Sequence, residues 1–352
     1  MQEELREAID LLKRMIAIPS ISRQETEVAD MLQEQMKKWN IDVQRTHNNL
    51  WEIAPDYDEQ RPTLLLNAHI DTVKPVAAWT HHPFEPDLTE DGILYGLGSN
   101  DDGASLVTLL LTYRYLRQQK RAYNLIFIAS AEEEVSGANG IASVLPLLPK
   151  IDVAIVGEPT GMQPAIAEKG LMVLDVTAHG KAGHAARNEG DNALYHAIDD
   201  IAWFRNYQFP NQTELLGPVK MTVTIIQAGT QHNVIPDQCT FTVDVRSNEC
   251  YSNEDIYNTV CTAVKSEVKA RSFRLNSSRI SLDHPLTKRV MELGRKPFGS
   301  PTLSDQALMS FPSMKIGPGD SARSHTADEY IKVSELEEAL QCYRELLLDL
   351  KI

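Results

Sequence analysis

The stretch TLLLNAHIDTV, residues 63–73, joins an apolar run to two residues that can bind a metal, His69 and Asp71. A short apolar run that ends in a turn is typical of a buried strand. Open parallel sheets bind their ligands at the carboxyl ends of their strands. The stretch therefore predicts a buried strand with a ligand-binding end. Polar residues also close many ordinary strands, so this pair alone does not distinguish a metal site from a turn.

Two later segments repeat this pattern, NLIFIASAEEE at residues 124–134 and DVAIVGEPT at residues 152–160. Between the runs at 63–73 and 124–134, residues 105–121 have the apolar content and basic end of a helix. Strands that alternate with helices predict a mostly parallel sheet. We therefore expect an α/β domain in which three strand ends bring their polar residues to one edge.

A second domain is predicted after residue 170, where the pattern changes to strand, helix, strand, strand, helix, strand. This order is that of the ferredoxin-like split unit. We expect a catalytic domain formed by residues 1–170 and 283–352, with a ferredoxin-like α+β domain inserted at residues 171–282. The expected elements are strands at 171–180, 219–229, 239–246 and near 277–282, and helices at 191–207 and 253–270.

Both chain ends have helical patterns. Leu5, Ile9, Leu12 and Ile16 recur at helical spacing, which indicates a docking helix rather than an export signal. Near the carboxyl end, Ser334 and Glu337 have the spacing of a capping box, which predicts the start of the last helix.

Composition excludes several classes of function. The 352 residues include 49 acidic and 34 basic residues, a formal charge of -15, which disfavours binding to nucleic acid or anionic lipid. The sequence contains no run of about 18 consecutive apolar residues, so we expect no membrane span. The four cysteines lack a C-x-x-C pair, which is typical of reduced thiols in a cytoplasmic protein; they are Cys239, Cys250, Cys261 and Cys342. A metal would therefore need histidine and carboxylate ligands.

Five residues are candidate metal ligands: His69, Asp101, Glu134, Glu158 and His325. Two neighbouring cations need an acid between them to offset their repulsion, and histidine with carboxylate suits zinc. Each candidate also has an ordinary explanation when it is taken alone. Asp101 and Asp102 fit an Asp-Gly turn, and Glu132–Glu134 fit an exposed acidic run.

The order of the motifs resembles the two-zinc amidohydrolase and metallopeptidase family that includes acetylornithine deacetylase, succinyl-diaminopimelate desuccinylase and glutamate carboxypeptidase. The resemblance covers essentially the whole chain, including the inserted domain, and is closest to acetylornithine deacetylase. The motifs are H-x-D at 69–71, G-x-G-x-x-D at 96–101, E-E at 133–134, G-E-P-T at 157–160, G-K-A-G-H-A-A at 180–186, N-V-I-P at 233–236, D-V-R at 244–246 and S-H-T-x-x-E at 324–329.

The resemblance implies a zinc-peptidase-like catalytic domain with two Zn²⁺ ions, although Co²⁺ or Mn²⁺ also suits such ligands. His69 and Glu158 would bind one ion, Glu134 and His325 the other, and Asp101 would bridge them. Counting from the Gly-Leu-Gly turn favours Asp101 over Asp102, and the distance to Gly137 favours Glu134 over Glu133 as the ligand. The neighbouring residue, Asp102 in the first case and Glu133 in the second, remains the alternative.

The same resemblance implies catalytic roles. Glu133 would act as general base toward a metal-bridged hydroxide that attacks an amide carbonyl. Asp71 would hydrogen-bond His69 and fix its tautomer. His184, on the inserted domain, would stabilise the oxyanion in the partner subunit, which implies a homodimer.

The inserted domain would also select the substrate. Asn233 and Arg246 match family positions near the substrate, and the fork of an arginine suits an α-carboxylate. The predicted substrate is a small N-acyl amino acid, N-acetyl- or N-succinyl-ornithine or citrulline in arginine biosynthesis. The alternatives are N-succinyl-diaminopimelate or a small peptide, and a metal-binding protein without activity. Gly103 departs from the family pattern, which often has a lysine there.

Overall fold

The computed structural model describes residues 2–352 and divides them into two compact units. The first unit consists of residues 2–166, 280–298 and 304–352, and the second of residues 167–279 and 299–303. The second unit is thus inserted between parts of the first in chain order. Residues 299–303 belong to the second unit, whereas the sequence assigned them to the first.

The elements are numbered in chain order over the described residues. The helices are α1 (Gln2–Ile16), α2 (Thr26–Lys38), α3 (Ala104–Leu116), α4 (Ala193–Asn206), α5 (Asn253–Ala263), α6 (Pro285–Glu292) and α7 (Val333–Leu347). The strands are β1 (Gln44–Thr46), β2 (Asn49–Ile53), β3 (Thr63–His69), β4 (Asp87–Leu88), β5 (Ile93–Tyr95), β6 (Asn124–Ser130), β7 (Val153–Val156), β8 (Ala165–Glu168), β9 (Met172–His179), β10 (Gly183–His184), β11 (Lys220–Ala228), β12 (Val234–Ile235), β13 (Gln238–Arg246), β14 (Glu267–Ala270), β15 (Ser278–Arg279), β16 (Phe298–Ser300), β17 (Ser313–Lys315) and β18 (Tyr330–Lys332).

The large sheet confirms the predicted mixed α/β fold. Its four central strands, β6, β3, β7 and β17, run parallel, and antiparallel strands flank them. Every residue of β3 and β6 is buried, which explains why both strands read as continuous apolar runs. The parallel register places His69 opposite Ser130, so β3 and β6 end at the same edge.

Helices α1, α3 and α7 contribute apolar side chains to the main core, and each lies where the sequence predicted a helix. The last helix begins differently from the prediction. Its first turn is capped by Glu335, which accepts the N–H of Lys332, rather than by the pair Ser334 and Glu337. The carboxylate of Glu335 also accepts hydrogen bonds from Nη1 and Nη2 of Arg323, at 2.8 and 3.0 Å. These bonds fix the carboxylate at the amino end of α7.

The second unit has the predicted strand and helix order with two corrections. Its antiparallel sheet has the order β11-β13-β9-β14. The fourth strand is β14, and residues 278–279 instead pair with β8. The helix expected to reach residue 270 ends at Ala263, because the buried carboxylate of Asp200 accepts the N–H groups of Lys265 and Ser266.

Buried and partly exposed residues alternate along β9 and β13 of the second unit, and the buried ones form its hydrophobic core. Leu174 and Val176 of β9 pack with Phe241 and Val243 of β13, beneath Phe204 of α4. The four cysteines are free. Among residues 2–352, no helix has both the length and the hydropathy needed to span a bilayer.

Candidate metal centre

His69 ends β3 with one ring nitrogen held and the other directed into the site. Its Nδ1 lies 2.9 Å from the main-chain oxygen of Asp71, and its Nε2 lies 3.1 Å from Oδ1 of Asp101. Donation from Nδ1–H to the carbonyl leaves Nε2 free to bind a metal. His69 is 2% exposed, so its ring has little freedom to turn away.

Asp71 orients the site differently from the expectation. Its Oδ1 is 3.6 Å from Nδ1 of His69, so the main chain rather than the carboxylate supplies the hydrogen bond to the ring. The carboxylate instead accepts the N–H groups of Glu133 at 3.0 Å and Glu134 at 3.2 Å. Ser22 donates its hydroxyl to the same group at 2.7 Å. Asp71 therefore connects the end of β3 to the turn that follows β6.

Asp101 lies between the two candidate histidines. Its Oδ1 is 3.1 Å from Nε2 of His69, and its Oδ2 is 3.8 Å from Nε2 of His325. Asp102 is 1% exposed and uses Oδ2 to accept the N–H of His69 at 3.3 Å. This geometry favours Asp101 over Asp102 as the bridging carboxylate, in the register that we chose from the sequence.

The two glutamates after β6 point to different partners. Glu134 places Oε1 and Oε2 at 3.1 and 2.9 Å from Nε2 of His325. Glu133 lies nearer to the other histidine, with Oε2 at 3.9 Å from Nε2 of His69. Ligand atoms of His69, Asp101 and Glu134 lie within 4.8 Å of one another, and so do those of His69, Glu133 and Glu158.

These side chains carry an excess of negative charge in a buried place. Burial raises the pKa of Glu133 well above its usual range, and the neighbouring charges of Glu158 and Asp305 raise it further. Burial also raises the pKa of Glu158, although Lys315 opposes this shift. Burial lowers the pKa of His69, but Asp101 and Glu133 outweigh this and hold it well above its ordinary value. Divalent cations would relieve this repulsion, so the donor set fits two of them.

Two carboxylates near the centre were not assigned from the sequence. Glu329 is 1% exposed and accepts the N–H groups of Gly98, Asn100 and Asp101 at 3.2, 2.8 and 2.9 Å. Asp305 accepts the hydroxyl of Ser130 at 2.6 Å. Glu329 lies within the quoted S-H-T-x-x-E motif, which was a usable signal, whereas Asp305 follows no strand-end pattern.

The remaining candidates belong to the second unit. His184 is exposed in β10, opposite Val234 of β12, and Ala185 donates its N–H to the carbonyl of Asn233 at 3.0 Å. His184 and Asn233 are therefore neighbours on this hairpin. Arg246 ends β13, where its Nε and Nη2 contact the carboxylate of Asp244 at 2.8 and 3.1 Å.

A mostly parallel sheet with histidine and carboxylate side chains near the ends of its strands fits a metal-dependent hydrolase. The chain belongs to Peptidase family M20/M25/M40, whose family model matches residues 65–349. It is therefore a metal-dependent amidohydrolase or peptidase that binds two divalent metal ions, typically zinc, and the two-metal prediction is confirmed.

Similar proteins cover nearly the whole chain. A succinyl-diaminopimelate desuccinylase of Corynebacterium glutamicum is 28% identical over 375 aligned residues, which cover 99% of this chain and 100% of that protein. A tripeptidase of Staphylococcus aureus is 20% identical, with a TM-score of 0.74 and 97% of each chain covered. A dinuclear metal-binding peptidase of the M20 family from Bacillus subtilis is 17% identical, with a TM-score of 0.74, and covers 99% of this chain and 98% of its own. These two structures share the fold of this chain.

Proposed function

We propose that the protein hydrolyses the amide bond of an N-acyl amino acid, with N-succinyl-diaminopimelate as the first candidate substrate. The observation that carries the reaction type is Glu133, a partly buried carboxylate beside His69 and Glu158 at the candidate metal centre. The choice of substrate is supported by the relatives named succinyl-diaminopimelate desuccinylase, from Corynebacterium glutamicum and Wolbachia pipientis among others. This replaces ornithine, the first expectation from the sequence.

The chain's own residues supply proton transfer and positioning. Two divalent ions, when bound, supply Lewis acidity that makes water more acidic and polarises the amide carbonyl. His69, Glu158, Glu134 and His325 would hold the two ions, and Asp101 would lie between them. Glu133 would take the proton from the attacking water and deliver it to the leaving nitrogen. Its main chain is fixed by the carboxylate of Asp71, which keeps this base in one place.

A group of cations in the second unit suits a substrate with more than one carboxylate. Lys220 lies directly opposite Arg246 on neighbouring strands, so two positive charges share one face of the sheet. Burial lowers the pKa of Lys169, and the charges of Lys220 and Arg246 lower it further, although Glu249 opposes them. Like charges placed opposite each other are destabilising on their own, and the carboxylate of Asp244, which pairs with Arg246, offsets part of this repulsion. A dicarboxylate ligand would offset this repulsion, as an N-succinyl amino acid would do.

We further propose a homodimer in which His184 acts in the active site of the partner subunit as an oxyanion donor. Strand β11 forms an edge of its sheet, and Ile225 and Ile226 on it are 52% and 49% exposed. On α4, Tyr195 and Ile198 are 66% and 50% exposed. An unpaired edge beside exposed apolar residues favours pairing with a second copy.

A substrate panel tests the proposed function. The zinc-loaded protein would be assayed for kcat/KM on N-succinyl-diaminopimelate, N-succinyl-ornithine, N-acetyl-ornithine, N-acetyl-citrulline and a tripeptide. We expect the succinyl substrates, N-succinyl-diaminopimelate first among them, to exceed the acetyl substrates by about 10- to 100-fold, the value of one or two charge-assisted hydrogen bonds to the additional carboxylates. Preference for acetyl-ornithine would restore the first expectation. Turnover of none of them, with two zinc ions bound, would contradict the hydrolase assignment to N-acyl amino acids.

A further inference from the structure

The turn that carries Glu133 and Glu134 is held by two carboxylates from distant parts of the chain. Asp71 accepts the N–H groups of Glu133 and Glu134, and Glu25 accepts the N–H of Glu132 at 3.2 Å. Three consecutive peptide N–H groups after β6 are thus bound by buried acids. The first of these acids belongs to the H-x-D motif, whereas Glu25 belongs to no motif used so far.

Glu25 is itself firmly fixed. It has no exposed surface, and it directly precedes α2. Its Oε1 accepts the N–H of Arg23 at 2.5 Å, and its Oε2 accepts the side-chain amide of Asn48 at 3.2 Å. A buried carboxylate with three donors has little freedom to move.

The residue that Glu25 holds has an uncommon backbone conformation. Glu132 has a φ of 55°, in the left-handed region that non-glycine residues seldom adopt. The turn closes around Glu132. The carbonyl of Glu132 accepts the N–H of Gly137 at 2.8 Å, and its carboxylate accepts a hydrogen bond from Nδ2 of Asn139 at 3.1 Å. A Cβ at Gly137 would lie 1.8 Å from Oε2 of Glu132, so the turn has no spare room.

We propose that Glu25 is a positioning residue for the general base Glu133. By binding the N–H of Glu132, it fixes the left-handed residue from which the chain directs Glu133 toward His69. Catalysis by a base is sensitive to displacements of about 1 Å, so an acceptor one residue away affects the rate without touching the substrate. This inference rests on the proposed hydrolase function.

Two conservative variants separate reach from charge. In Glu25→Gln the side chain keeps its length and an oxygen that can accept the N–H of Glu132, but loses its charge and the acceptor for the side-chain amide of Asn48. In Glu25→Asp it keeps its charge but is shorter by one methylene. We expect kcat of Glu25→Asp to fall about 10- to 100-fold with KM and bound zinc unchanged, and kcat of Glu25→Gln to stay within about threefold of wild type. Glu27→Gln, an exposed acid in the first turn of α2, is the matched control.

A second measurement does not depend on turnover. Hydrogen exchange of the amides of Glu132–Glu134 should be faster in Glu25→Asp than in wild type and unchanged in Glu27→Gln. The opposite order of activities, with Glu25→Gln impaired and Glu25→Asp normal, would overturn the proposal, and so would equal kcat and exchange in all variants. If the wild-type protein hydrolyses no member of the panel, the proposed function fails first, and the exchange measurement alone decides whether Glu25 holds the turn.

Discussion

The two units bury different kinds of side chain. Among residues 2–352, the first unit buries eight acidic residues: Glu25, Glu52, Asp71, Asp102, Glu132, Glu158, Asp305 and Glu329. The second buries Glu168 and Asp200 among the described residues, around a core of apolar side chains. Buried carboxylates are costly unless hydrogen bonds or cations compensate them. The first unit therefore holds the candidate metal ligands at a cost in stability, whereas the second is a packed scaffold that carries the candidate residues His184, Asn233 and Arg246.

The largest expected effect tests whether the chemistry of the first unit depends on Glu133. In Glu133→Gln the base is lost while the metal ligands remain, so kcat should fall by about 10²- to 10⁴-fold with two zinc ions still bound. Glu134→Gln should instead lose metal, because its carboxylate pairs with His325 at 2.9 Å. Steady-state kinetics and metal analysis of both variants measure this contrast.

The opposite pattern has a definite meaning. If Glu133→Gln loses zinc and Glu134→Gln keeps it, the roles of the two glutamates are exchanged. If neither substitution changes kcat or metal content, this sheet edge is not the active site.

The next effect tests whether the second unit contributes to catalysis. His184→Ala should retain both zinc ions and lose about 10²- to 10³-fold in kcat, as is typical of one oxyanion donor. The partly exposed His196 provides a control of the same residue type, because His196→Ala removes a histidine of α4 that pairs with Asp191. Kinetics and metal content of the two variants separate a catalytic from a surface histidine.

Mixed dimers sharpen this test. When His184→Ala and Glu133→Gln proteins are unfolded and refolded together, each mixed dimer contains one site with both residues intact. Random pairing gives about half mixed dimers, so about a quarter of the wild-type activity should return. Absence of recovery in proven mixed dimers would show that His184 does not act across the interface.

The sequence predicted those site residues that follow visible strands. His69, Glu133, Glu134 and Glu158 come directly after apolar runs, and parallel strands bring such ends together. The supporting acid Glu25 binds a main-chain N–H group 107 residues away, and no local pattern marks it. Glu329 binds an N–H group 229 residues away, and although it lies in the S-H-T-x-x-E motif, the motif does not reveal that contact. Contacts of this kind depend on the completed fold rather than on periodicity.

The missed end of α5 has a similar cause. The helix expected at residues 253–270 is too long, although Val260, Val264 and Val268 do recur at helical spacing. The structure ends the helix at Ala263 and begins β14 at Glu267, with the carboxylate of Asp200 bound between them. Tertiary hydrogen bonding from α4 therefore overrides the helical pattern here.

A smaller effect, on zinc affinity, is expected for Glu329, an acid of the first unit that binds main-chain N–H groups next to the candidate ligand Asp101. Glu329→Ala removes the acceptor for three N–H groups, including that of Asp101, so zinc affinity should fall about 10- to 100-fold. Competition with a chelator measures this affinity. Glu337→Ala, on the exposed side of α7, should leave it unchanged. Equal affinities in both variants would limit Glu329 to a role in folding.

The smallest effect on activity is expected in the second unit, at Asp200. Its carboxylate accepts the N–H groups of Lys265 at 3.2 Å and Ser266 at 3.0 Å, and the hydroxyl of Ser266 at 2.5 Å. In Asp200→Ala these donors lose their partner, so the free energy of unfolding should fall by about 1–3 kcal/mol. Asp199→Ala changes the exposed neighbouring acid and should leave stability within about 0.5 kcal/mol of wild type. Denaturant unfolding, followed together with zinc content, measures both.

Because Asp200 stabilises a scaffold without metal, zinc affinity should be equal in the two variants. A loss of zinc in Asp200→Ala would show that the stability of the second unit controls the metal centre, and the contrast between the two units would have to be abandoned.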